Sequence, residues 1–118
     1  RFVIPSAYEY TVEIDSIEQT NTRVKKRVVD ISEGGLSFFV LSPREAGLFR
    51  AGTLLSKCVI TMNNQTILVD MRVCNQSGVD RGSKGKGHKI GVVFESIGLE
   101  DKKYLGQFIY SHAAHLFY

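Results

Sequence analysis

Two cysteines, Cys58 and Cys74, are all the sequence contains, and they do not form a Cys-x-x-Cys pair. Small secreted scaffolds held by disulfides carry more. Both thiols are therefore expected to be reduced, on strands, in a cytoplasmic protein. No apolar run approaches the roughly 20 residues that span a bilayer, and no signal peptide is visible. The chain begins at Arg1 rather than Met, which reads as a piece of something longer, its C-terminal part. There is no Ser-His-Asp set, no supported pair of catalytic carboxylates and no P-loop, so no enzyme is expected. His112 and His115 stand three apart, but no nearby carboxylate or cysteine completes a metal site. No repeats and no low-complexity segment interrupt the chain.

What is present is one domain's worth of sequence. It has 118 residues, and hydrophobic types make up 43% of them, enough for one core and too many for disorder. Net charge is +3, and the pI is near 9.0. That mild excess suits an anionic partner such as a nucleotide or RNA; an ordinary basic surface is the plainer reading.

The hydrophobic pattern is mostly of period two. Tyr8, Tyr10, Val12 and Ile14 face one way, while Glu9, Thr11, Glu13 and Asp15 face the other. A turn at Asn21 and Thr22 leads to a second strand, Arg23 to Asp30, with Val29 and Ile31 directed inward. Leu36 to Leu41 is the third strand and Leu54 to Met62 the fourth. Asn63-Asn64 marks a hairpin turn, and Ile67 to Cys74 is the fifth strand. Asn75 to Lys89 is polar and glycine-rich, without an apolar period, and is expected as a mobile loop. Its Arg81, Lys84, Lys86, His88 and Lys89 form a basic group, read either as a solvated hairpin or as a second ligand contact. Ile90 to Phe94 is the sixth strand.

The end of the chain changes period. Leu105, Phe108, Ile109, His112 and Leu116 fall at helical spacing, and Glu100 and Asp101 suit a first turn. One amphipathic helix is expected from about Leu99 to Phe117, covering the mouth of the sheet. His112 lies on its apolar stripe and reads as a packing residue. The expected fold is mainly β: a six-stranded antiparallel barrel with one C-terminal α-helix.

Between the second and third strands stands Asp30-Ile31-Ser32-Glu33-Gly34-Gly35. An acid, a hydroxyl and two glycines make a turn able to offer a carboxylate and backbone N–H groups to a small ligand. The plain alternative is an ordinary turn whose side chains bond local backbone.

Strand, Asp-x-Ser-x-x-Gly, strand resembles the signature of PilZ domains, bacterial receptors for cyclic di-GMP. Lys89-Ile90-Gly91-Val92-Val93-Phe94 is similar to the family's last strand, and Leu99 to Tyr110 to its closing helix. Leu48-Phe49-Arg50-Ala51-Gly52 and the long segment before Ile90 are most similar to the YcgR-type flagellar brakes. The resemblance implies a ligand site at Arg1, Asp30, Ser32, Gly34 and Gly35. It also implies an Arg-x-x-x-Arg motif just before the first strand. Arg23-Val24-Lys25-Lys26-Arg27 fits that spelling but lies inside the second strand. Arg1-Phe2-Val3-Ile4-Pro5 fits the context, with Arg1 as the motif's second arginine.

The implied partners are cyclic di-GMP as ligand, with no cofactor and no metal, and flagellar motor or switch proteins or an upstream domain. Neither DNA nor membrane insertion is implied. The implied role couples second-messenger level to motility or exopolysaccharide control. A non-binding PilZ-fold interaction domain is the alternative. An RNA-binding small barrel is a third, without an evident stacking platform.

Overall fold

The computed structural model describes residues 2–5, 7–18, 20, 22–80 and 85–114. Among them the strands are β1 (Phe2–Val3), β2 (Thr11–Ile17), β3 (Val24–Ile31), β4 (Gly35–Val40), β5 (Leu54–Met62), β6 (Gln65–Asp80) and β7 (Lys86–Ile97). The helices are α1 (Pro43–Ala46) and α2 (Leu99–Ala114). All pairings are antiparallel. The order runs β1-β3-β2-β5-β6-β7-β4, and a β3–β4 pairing closes the last six strands into a barrel. β1 is the extra strand. It pairs with the second half of β3, on the edge whose first half pairs with β2.

Alternation builds the inside. Val12, Ile14 and Ile17 of β2 are buried with Leu36, Phe38 and Val40 of β4 and with Ile60, Val69, Met71, Ile90 and Val92. Tyr10 joins this core, whereas Tyr8 is exposed, so the inward series begins two residues later than expected. The Asn63-Asn64 turn is as expected, with both residues at positive φ, 49° and 60°, the hand that a tight hairpin needs.

Two further expectations fail. Asn75 to Lys89 is not one long loop: β6 continues to Asp80, and β7 begins at Lys86. The ladder from Asn75↔Gly91 to Asp80↔Lys86 uses backbone groups, which pair whether or not the side chains alternate. Gln76 fixes this ribbon by donating from Nε2 to the carbonyls of Ala46 (2.8 Å) and Phe49 (3.1 Å). Residues 81–84 lie outside the described residues.

The second failure is in β3. Alternation alone directs Val29 inward, yet Val28 and Ile31 are the buried apolar pair. The register shifts between Val28 and Asp30: Val28 opposes Phe38, but Asp30 opposes Ser37. This bulge inverts the alternation. Val28 and Ile31 both reach the core, and Asp30 is turned to the outer face of the wall.

α2 begins with Glu100 and Asp101 in its first turn and buries Leu105 and Phe108. Phe108 meets Phe2 and Tyr10 edge-on, with centroids at 5.8 and 5.7 Å, and lies against Tyr104 and His112. Packing is therefore the role His112 takes, and its Nδ1 lies 2.8 Å from the Phe108 carbonyl. Leu116 and His115 are outside the described residues. No helix among the described residues is long and apolar enough to cross a membrane.

The two thiols differ. Cys58 is fully buried, and burial, with Asp70 and Asp15 nearby, pushes its pKa up to about 12. Cys74 is exposed. A maleimide reagent is expected to label one thiol per native chain and two in denaturant. Equal labelling rates for both thiols in the native protein would contradict this placement.

Candidate functional site

The Asp30–Gly35 segment is a hairpin turn tied at its base. Ser32 N–H donates to the Gly35 carbonyl at 2.8 Å. Ser32 Oγ donates to the same carbonyl at 3.3 Å and accepts from Gly34 N–H at 3.3 Å. The hydroxyl's one donor is thus used inside the turn, and a lone pair remains to accept from a ligand. Gly34 N–H, one of the groups the sequence suggested for a ligand, is likewise held by Ser32.

The two glycines have different reasons. A Cβ at Gly34 would meet open space, while one at Gly35 would sit 2.0 Å from the Val92 carbonyl oxygen. Gly35 therefore lets β4 start against β7 (Gly35↔Val93), and Phe94 N–H donates to the Gly34 carbonyl at 2.8 Å. α2 passes the same turn, and a Cβ at Gly106 would lie 2.6 Å from Glu33 Oε1. Glu33, Lys102, Lys103 and Gly106 border a shallow groove of about 450 Å³ there.

Asp30 is only 2% exposed, although it faces the outer side of the wall. A buried carboxylate needs a counter-charge. Lys89 of β7 supplies one, with Nζ at 3.1 Å from Oδ2. In the sequence Lys89 ends the basic group and opens the stretch similar to the family's last strand, with no partner assigned to it. Its strand position, two residues before Gly91 in the last-strand pattern, was the signal that could have placed it.

β1 runs beside this carboxylate. Phe2 opposes Ile31 and Val3 opposes Asp30, while Ile4 N–H donates to the Val29 carbonyl at 2.8 Å. Arg1 lies outside the described residues. Arg27 acts locally, because its Nη2 donates to the carbonyls of Tyr8 (2.9 Å) and Pro5 (3.3 Å). It clamps the connection from β1 to β2. Lys26 pairs with Glu45. Four of the five candidate residues, Asp30, Ser32, Gly34 and Gly35, thus share one turn, and β1 is laid along it.

A concavity of about 520 Å³ lies elsewhere, against Glu13, Asp15, Arg23, Lys57 and Asp70 on the β2–β5–β6 wall. Three carboxylates there suit an anionic ligand poorly. No group of three or more His, Cys, Asp or Glu able to hold a metal ion occurs among the described residues.

A six-stranded barrel with an Asp-x-Ser-x-x-Gly hairpin, an extra N-terminal strand beside it and a closing helix defines a class of small β-barrel domains. The PilZ domain model matches residues 7–111, and the chain belongs to the PilZ family. Among solved structures, the K. pneumonia MrkH–c-di-GMP complex is similar, with TM-score 0.82 and 16% identity over 98% of this chain and 51% of that one. The PilZ domain of YcgR from Escherichia coli with c-di-GMP gives TM-score 0.74 at 16% identity, over 98% and 89%. The Bacillus subtilis inhibitor of motility, MotI/DgrA, gives 0.69 at 16%, over 96% and 53%. The chain thus spans about half the length of MrkH. No curated protein matches by sequence.

Proposed function

We propose that the chain is a cyclic di-GMP receptor domain, with Asp30, Ser32, Gly34, Gly35 and Arg1 forming the site. The observation that carries this reading is the pairing of β1 with β3, Val3 against Asp30, which brings the N-terminal arm to the signature turn. The solved relatives MrkH and YcgR, described as c-di-GMP complexes, support it.

The chemistry fits the residues. The Hoogsteen edge of guanine carries two acceptors, which an arginine fork matches bidentately, and the same fork binds phosphate. The opposite edge carries N–H donors, for which the Asp30 carboxylate is an acceptor. The lone pair left on Ser32 Oγ accepts one more. A ligand that touches both the arm and the turn favours the ordered arrangement of the arm, and a domain upstream would feel that shift. Slowing of a flagellar motor, or control of exopolysaccharide, is the output we assign, in a bacterial cytoplasm and as the C-terminal part of a longer protein.

The test is calorimetric titration of a chain extended upstream of Arg1 in its natural sequence. Cyclic di-GMP is expected to bind with Kd of about 1 μM or tighter, near −8 kcal/mol. Asp30→Ala is expected to weaken binding by about 100-fold or more, because an unpaired donor edge would remain on the guanine. Absence of heat at millimolar ligand would leave the non-binding interaction domain as the better reading.

A further inference from the structure

The side chain of Lys89 takes an unusual route. Lys89 is on β7 and Asp30 on β3, and β4 lies between them. The register places Asp30 opposite Ser37, Ser37 opposite Gly91, and Lys89 opposite Phe39. Leu36 and Phe38 face the core, so Ser37 and its cross-strand neighbours face outward. To reach Asp30 at 3.1 Å the lysine must cross β4 diagonally, on the outer face, at Ser37. Ser37 is accordingly 1% exposed, and its Oγ has no hydrogen-bond partner among the described residues.

The next residue in the row is a glycine. A Cβ at Gly91 would lie 2.6 Å from Asn75 Oδ1, so Asn75 leans over β7 where a side chain would otherwise stand. From Asp30 the outer wall therefore runs as a polar strip, Ser37, Gly91, Asn75, with no apolar side chain projecting from it. Lys89 stands over that strip. Its side chain is 38% exposed, against 4% for its partner's. An ammonium has three donors, and Asp30 is the one partner that Lys89 has among the described residues.

We propose that Lys89 is itself a ligand-binding residue: it stays bonded to Asp30 and gives a second donor to a phosphate oxygen of the bound cyclic dinucleotide. This rests on the receptor reading above and extends its site from the turn to β7. Electrostatics makes the assignment specific. The ligand brings two negative charges to a wall whose acceptor is a carboxylate, and like charges that close repel. A cation bridging the two lets one face of the ligand use Asp30 while its phosphate approaches. Lysine suits this place because its charge is compact and its donors rotate, so it can serve two oxygens set at an arbitrary angle.

Two measurements on the upstream-extended protein test the proposal. Lys89→Met keeps the stem and removes the charge. Calorimetry is expected to show cyclic di-GMP binding at least about tenfold weaker than for the parent, while Lys57→Met, on the β5 wall, stays within about twofold. A ligand-bound crystal structure of the parent should place Lys89 Nζ within about 3.2 Å of a phosphate oxygen. Binding of Lys89→Met within twofold of the parent, or an Nζ beyond about 4.5 Å from every phosphate oxygen, overturns the proposal and leaves Asp30 as the acceptor. A parent that binds no ligand overturns the receptor reading and this one with it.

Discussion

Gly35→Ala is expected to cost about 3 kcal/mol or more of folding stability, while Gly34→Ala stays within about 0.5 kcal/mol. The contrast comes from adjacent residues of one turn. The new methyl at position 35 would stand 2.0 Å from the Val92 carbonyl oxygen, a backbone atom with no rotamer to change. Relief requires β4 to lift from β7 at Gly35↔Val93, and the Phe94 N–H bond to the Gly34 carbonyl would strain with it. At position 34 the methyl meets nothing within 4 Å. Urea unfolding of the two variants beside the parent measures this directly. By thermal melting the Gly35 variant should fall by roughly 10–20 °C. Equal stability of the two variants would mean that β4 does not start against β7 as described.

Phe108→Ala is the second large effect, expected at about 3–5 kcal/mol. Its ring is the shared neighbour of Phe2 on β1, Tyr10 before β2, and Tyr104 and His112 on α2. Removing it leaves a cavity between helix and barrel that those rings cannot close without moving. The loss should be largest at β1, which has two paired residues and gains its hold partly from the Phe2 ring. Hydrogen exchange should show this locally. The Ile4 amide, bonded to the Val29 carbonyl, should lose protection by a larger factor than the β5–β6 amides. Uniform loss across the barrel would mean that β1 is not held through the helix.

Much of this was legible in the sequence. Alternation through Tyr10, Val12 and Ile14 located one wall, the apolar stretch Leu36 to Leu41 located another, and the paired asparagines located a hairpin. The closing helix showed in Leu105, Phe108 and Ile109 because a packed helix repeats its apolar side every three or four residues. The ribbon Asn75–Asp80 with Lys86–Lys89 did not show, because its ladder is satisfied by backbone groups and carries no apolar period. The bulge at Val29 did not show either. Nothing in Arg27-Val28-Val29-Asp30 says which valine is extra, and that choice is made by β4 across the ladder.

The site divides the same way. Asp30, Ser32 and the two glycines were readable as a turn with a carboxylate. That Ser32 uses its donor inside the turn, and that Gly35 answers to Val92, depends on residues far along the chain. The pairing of Lys89 with Asp30 spans 59 positions, 89 minus 30, and no local pattern announces it. Arg27 illustrates the reverse hazard: it completes a plausible spelling, yet its guanidinium holds two carbonyls of the β1–β2 connection.

The extra residue in β3 also limits how this chain can change its length. Deleting Val29 would leave Val28 inside, Asp30 outside and Ile31 inside in regular alternation, so the barrel wall could close without it. What the deletion removes is the carbonyl that the arm at Ile4 grips. A single-codon loss at this point would therefore loosen the arm with every signature letter still in place, so that intact spelling and intact geometry can part company.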